Sequence, residues 1–144
     1  MLYRDNERFE IGDFKILKKS AKDQIVLIGS GITLHEALVA HEVLRKKGIF
    51  SAVVDLYCVK PFNAEKFISF VNKHGRKMVV AEDHYQEGGI GEMLAEELEN
   101  TKIEIKHLAV REIPHSGNSQ ELLEKYKIDR KAIVKSAMKL LKFK

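Results

Sequence analysis

The chain has 144 residues and only one cysteine, Cys58. That excludes an internal disulfide and makes a reducing, cytoplasmic setting the expectation. No apolar run approaches the length of about 18 residues that a membrane-spanning helix needs, so no membrane partner is expected. The first residues, Met1 to Arg8, carry charge and no apolar stretch, which is not a signal-peptide pattern. One-sided charge is missing too. The formal net charge is +4, yet acids and bases are interleaved, as in Lys60, Glu65, Lys66, Lys73, Arg76 and Lys77. The one local excess is Lys135, Lys139, Lys142 and Lys144, whose spacing puts them on one solvated helical face. Nucleic-acid binding asks for clustered bases with aromatic platforms, so no nucleic-acid partner is expected. Metal-ligand spacing is also lacking. His35 and His41 are six residues apart, which at about 100° per residue puts them on different helix faces. No metal site is assigned.

What is present is enough apolar material for a core: 44% apolar against 32% charged residues. Residues 1–12 read as a lead-in segment that Tyr3 and Phe9 could anchor, and residues 13–144 as one domain. Phe14 to Lys18 is a short strand candidate. Ile25 to Ile28 is an apolar, mostly β-branched run that suits a strand covered on both faces. Gly29-Ser-Gly31 breaks it. Thr33 with Glu36 three residues later has the pattern of a capping box, opening a helix from Leu34 to Lys47 that Gly48 ends. Phe50 to Leu56 is the next strand. Asn63 caps a helix over Ala64 to Lys73, with Phe67, Ile68, Phe70 and Val71 facing in. Lys77 to Ala81 and Ile103 to Val110 are further strands, with a helix between them starting near Ile90. Ser119 and Asp129 are expected caps of two final helices. Strands alternating with helices of this length predict a mainly parallel sheet with helices on both faces.

The chemistry-bearing residues gather at the end of the third regular strand. Glu82, Asp83, His84 and Tyr85 are followed by Glu87, Gly88, Gly89 and Gly91, and then by a helix. Acids and a histidine at a strand end are acid–base equipment in type. No nucleophile accompanies them at a fixed spacing, so no catalytic residue is assigned. The glycines could cradle an anion through backbone N–H groups, but the Lys-Ser/Thr of a phosphate-binding loop is missing. Gly29-Ser-Gly31 imitates a dinucleotide fingerprint, with Asp55 where a ribose-binding acid would sit. Leu34 stands where that fingerprint wants glycine or alanine, so a tight strand-to-helix turn is the preferred reading. Cys58 has no activating pattern around it, and the loop His115-Ser116-Gly117 lacks the elbow of a serine hydrolase.

Glu82-Asp-His-Tyr85 with Glu87-Gly-Gly-Ile-Gly-Glu92 resembles the C-terminal domain of transketolase. So do Ile28 to Ala37, Val54 to Leu56 with Lys60-Pro61, His107 to Val110 with Pro114 to Gly117, and Leu122-Leu123 with Ile128 to Arg130. These occur in the family's order, and the resemblance runs from about Tyr3 to Leu141. It implies a three-layer α/β/α domain with a five-stranded mixed sheet, mostly parallel, whose first strand is antiparallel. It also implies a piece, excised or separately encoded, of an enzyme that moves two-carbon ketol units between sugar phosphates in the pentose phosphate pathway. The family's two other domains bind thiamine diphosphate and a divalent metal (Mg or Ca), and nothing here matches them. The resemblance therefore implies a domain that is non-catalytic alone and binds no cofactor alone. Its implied partners are the other transketolase domains, within a homodimer. Glu82, Asp83, His84, Tyr85, Gly88, Gly89, Gly91 and Thr33 are the candidate interface or anion-binding residues. The alternative function is a regulatory module for a small anion or a nucleotide.

Overall fold

Alternation along the strands decides which side chains meet which helices. In strand β2 (Ile25–Gly29), Val26 and Ile28 point to one face of the sheet, and Ile25 and Leu27 to the other; all four are buried. The computed structural model describes residues 2–143, and β2 lies at the centre of its one sheet. The remaining strands are β1 (Lys15–Lys18), β3 (Ser51–Asp55), β4 (Lys77–Tyr85) and β5 (Glu104–Val110). Their spatial order is β1-β3-β2-β4-β5. β1 runs antiparallel to β3, and all other neighbours are parallel. The mixed five-stranded sheet with an antiparallel first strand is thus as expected.

Helices α2 (Ala64–Lys73) and α3 (Ile90–Glu97) cover one face, where Phe67, Val71, Ile90 and Leu94 meet Val26, Ile28, Met78 and Val80. Helices α1 (Ile32–Lys46) and α5 (Arg130–Leu140) cover the other, where Leu34, Ala37, Leu44, Ile133 and Ala137 meet Ile25, Leu27, Val79 and Ala81. The short α4 (Ser119–Lys125) closes a small satellite core through Leu123, Val110 and Ile128. Three layers follow from strands that are apolar on both faces.

Several helix ends match their sequence signals. Asn63 accepts from the amide of Lys66, and Asp129 from that of Ala132. Gly48, at φ +78°, takes the left-handed position after α1. Its amide donates to Arg45 and that of Ile49 to Leu44, and Ile49 and Leu44 are buried in the same core. Two caps differ. Helix α4 is capped by Asn118, whose side chain accepts from Gln120 N at 2.9 Å, rather than by Ser119. Helix α1 starts at Ile32, and the expected capping box does not form. Gly29 passes so close to the helix that a Cβ there would lie 2.7 Å from the amide nitrogen of Leu34. The turn is thus too tight for Thr33 to stand outside the helix. Thr33 is buried in the first turn, and its hydroxyl donates back to Ser30 O at 2.9 Å. Glu36 turns instead to α5, accepting from Arg130 Nη2 at 2.6 Å, Nε at 2.8 Å and N at 2.7 Å. These bonds from Arg130 hold the Glu36 carboxyl below its usual range despite burial.

The lead-in segment is tied to the sheet. Tyr3 donates to Asp55, Phe9 stacks edge-on between Tyr3 and Tyr57, and Gly12 N meets Cys58 Sγ. Lys135, Lys139 and Lys142 are exposed along one side as expected. Lys144 lies outside the described residues.

Arg130→Ala removes both side-chain donors from a buried carboxylate and is expected to cost about 2 kcal/mol. Urea unfolding at neutral pH checks this, and Arg130→Lys should recover only part of the loss because the two-pronged geometry is gone.

Candidate functional site

β4 is longer than the apolar run that marked it. It carries through Ala81 to Tyr85, with an irregular register against β5 over its last residues. Its alternation then sorts the acidic crest. Met78, Val80 and Glu82 point toward the layer of α2 and α3, while Val79 and Ala81 point toward α1 and α5. Glu82 therefore sits beneath the first turn of α3 and is only 4% exposed.

A buried carboxylate is costly unless it is hydrogen-bonded on its free lone pairs. Three donors meet that need. Ile90 N lies 2.7 Å from Oε2, Gly91 N lies 3.0 Å from Oε1, and His107 Nε2 lies 2.5 Å from Oε1. His107 comes from β5, where it sits beside Val80 in the parallel register. Burial alone would raise the Glu82 pKa. The His107 bond and the two amide bonds outweigh that and hold it below the usual carboxylate range. The carboxylate so held requires His107 to donate from Nε2. Ile90 and Gly91 are the leading residues of α3, so the ion also sits against the positive end of the helix.

The glycines are there to let this happen. A Cβ on Gly89 would run into the Glu82 carboxylate, and one on Gly91 into the His107 ring. Gly89 has an ordinary extended backbone, so close approach and not φ is its reason. Gly88 is different: its φ is +75° with open space around it, and its amide donates to Glu92 Oε2 at 2.6 Å.

The candidates divide accordingly. Glu82, Gly89 and Gly91 come together in the buried clasp. Asp83, His84 and Tyr85 are exposed, and His84 Nδ1 contacts only the carbonyl of Tyr85, at 3.0 Å. Asp83, His84, Gly88 and Gly89 line an open hollow of about 280 Å³, shared with Ser30, Gly31 and Val59. The hollow lies where the chain's order reverses between β2 and β4, the place where open α/β sheets accept ligands and partners. Thr33 and Tyr85 are outside it. The free helix N-terminus expected at Gly88 to Gly91 is filled from within. An external anion at Ile90 N and Gly91 N would have to displace Glu82.

His107 was not among the sequence candidates. Nothing local marks it, because its role depends on β5 lying beside β4. Glu82 and His84, two residues apart on β4, do not pair: Glu82 is clasped beneath α3, while His84 is exposed where the register of β4 against β5 becomes irregular. Asp55, the ribose-type acid, is 5% exposed and faces inward. Its Oδ2 accepts from Tyr3 OH at 2.5 Å, and its Oδ1 has no partner among the described residues. Burial pushes its carboxyl up, with Tyr3 and Lys15 opposing. Among the described residues no three His, Cys, Asp or Glu side chains are placed to hold one metal ion.

The fold is a three-layer α/β/α domain with a glycine-bounded acidic crest at the switch point of its sheet. Comparison narrows the class. The family described as "Transketolase, C-terminal domain" matches residues 12–133, and the chain belongs to that family. Transketolase-like protein 2 of Mus musculus is 42% identical over 135 residues, covering 93% of this chain and 22% of that protein. Transketolase of Homo sapiens is 39% identical over 142 residues, covering 98% of this chain and 23% of that protein. The chain thus spans less than a quarter of these relatives. A solved structure described as a split gene transketolase, inactive beta4 tetramer, is 30% identical with a TM-score of 0.87, covering all of this chain and 46% of that one. Transketolase from Campylobacter jejuni, at 20% identity and a TM-score of 0.64, covers 90% of this chain and 19% of that one and shares the fold.

The clasp sets an acid response. Glu82 and Glu36 have lowered folded-state values. The stability they add is therefore complete above the unfolded value of about 4.5 and is lost as pH falls through the lower folded values. Glu82→Gln is expected to lose about 2 kcal/mol at neutral pH, since an amide presents one oxygen to three donors. It should also show a shallower loss of stability below pH 4.5, read from urea midpoints across the acid range. Gly91→Ala, which must push the His107 ring away from Glu82, is expected to destabilise and to soften the acid slope in the same direction as Glu82→Gln, since it weakens a bond that lowers the Glu82 value.

Proposed function

We propose that this chain is the C-terminal part of a transketolase, an enzyme of two-carbon ketol transfer between sugar phosphates in the cytoplasmic pentose phosphate pathway. Its role there is assembly: it docks on the cofactor-binding domain and contributes to a dimer. By itself it is non-catalytic. The observation that carries the reading is the pairing of near-complete coverage of this chain with less than a quarter coverage of its relatives.

The exposed crest supports docking. Val59, Ile32 and Tyr85 (45% exposed) are left open at the carboxyl edge of the sheet, with Ile113 (79% exposed) in the loop after β5. Apolar groups grouped at one edge and rimmed by Asp83, His84 and Glu87 are what a protein-facing surface presents. The split-gene relative, described as an inactive beta4 tetramer, supports self-association without catalysis.

The residues here do not fit thiamine diphosphate. The amides best placed to receive a phosphate already hold Glu82. No step through the cofactor is therefore assigned to this chain.

Titration calorimetry with thiamine diphosphate and Mg²⁺ is expected to show no saturable heat for the chain alone; tight binding would overturn the reading. Light scattering should show self-association, or a complex when a chain carrying the remaining transketolase domains is added. Val59→Glu, on the open crest, should weaken that complex at least about tenfold with the fold intact.

A further inference from the structure

β5 is the last strand in the sheet, so one side of its backbone has no strand neighbour. Beside it lies an open groove of about 380 Å³. Its floor is the edge from Lys106 to Ala109, and its wall is the segment Lys125 to Lys127 that ends α4. Four cations line it: Lys106, Arg111, Lys125 and Lys127. All are exposed, and none forms an ion pair with a carboxylate among the described residues. The one acid in the lining is Glu112. What sets the groove apart is the ratio of its charges, four cations to one acid, since unpaired lysines also occur elsewhere on the surface. The groove is thus a local excess of unpaired positive charge laid along an open sheet edge.

We propose that this edge receives an extended acidic segment of a partner protein as a sixth strand. An added strand satisfies the outward-facing N–H and C=O groups of β5, which supply affinity without regard to side chains. Alternate side chains of such a strand fall on one side, about 6.8 Å apart. Acids at alternate positions therefore face Lys106, which shares its side of β5 with Leu108, and the neighbouring Lys125 and Lys127. The same charge disfavours a second copy of this chain, whose own cation-rich rim would face Lys106, Lys125 and Lys127, a usual defence of an edge against self-pairing. The groove shares no lining residue with the crest proposed to dock on the cofactor-binding domain, although Arg111 and Glu112 lead directly to its Ile113.

The test uses the full 144-residue chain and a fluorescein-labelled peptide of alternating glutamate and valine. Anisotropy at low salt should show saturable binding that weakens steeply as salt is raised. Amide signals of residues 106–110 should shift and gain protection from hydrogen exchange. The double variant Lys106→Glu, Arg111→Glu should weaken binding at least about tenfold. Lys125→Glu, on a different element, should weaken it several-fold and keeps the test open if the β5 variant does not fold. A glutamate–proline peptide of the same charge lacks the alternate backbone donors and should bind far more weakly. Equal binding of that peptide, or of a single-stranded oligonucleotide, would reduce the groove to a general anion attractor and overturn the proposal. Absence of binding would leave the lysines as edge protection alone and overturn it equally.

Discussion

A carboxylate buried beneath a helix must be hydrogen-bonded on almost every side, and Glu82 imposes that demand on three elements at once. It lies on β4, receives two amides of α3 and one imidazole nitrogen of β5. The angle at which α3 leaves the sheet is set by the approach of Ile90 and Gly91 to the carboxylate. The smallness of Gly89 and Gly91 is required by the same approach. The helix N-terminus, which elsewhere would be a place for a phosphate, is filled by a residue of the chain. The crest beyond it, Asp83 to Tyr85, is exposed because the strand that carries it runs past the last residue whose side chain is clasped.

Three buried carboxylates near the layer boundaries show how the surroundings decide the state of one chemical group. Glu36 has a two-pronged guanidinium and an amide, and its ionised form is favoured. Glu82 has an imidazole and two amides, and the ionised form is again favoured against burial. Asp55 has one phenol hydroxyl and an oxygen without a partner, and burial prevails. The sign of its contribution is opposite to that of the other two: stability from Asp55 declines as pH rises from its unfolded value toward its raised folded one. The lead-in segment rests on this less satisfied acid through Tyr3, so its attachment is the least electrostatically supported of the three.

Much of the fold was legible because its signals are local. Asn63 and Asp129 cap helices by reaching an amide three residues on, and Gly48 ends one by adopting a left-handed backbone. Those outcomes depend on a handful of adjacent residues. Thr33 and Glu36 show the limit. Their spacing is right for a capping box, yet the close passage of Gly29 buries Thr33, and Arg130, far along the chain, takes Glu36. A local pattern is overridden when a distant partner offers a buried group more hydrogen bonds than its neighbours can. Recognition of the family supplied the antiparallel first strand, a direction that spacing alone does not encode.

By itself the sequence determined the strand and helix series, the apolar positions of the core and the location of the acidic, glycine-rich crest at a strand end. These are properties of periodicity and of turn chemistry, carried by contiguous residues. That Glu82 shares a face with Met78 and Val80 followed only once β4 was seen to run on past Ala81, where the apolar run ends. Tertiary structure alone decided what that face meets. The parallel register that sets His107 beside Val80 joins residues far apart in the chain, and it turns Glu82 from apparent acid–base equipment into an internal anchor. It likewise leaves β5 at the rim, with Lys106 beside Lys125 and Lys127, since which strand ends a sheet is settled by the packing of all five.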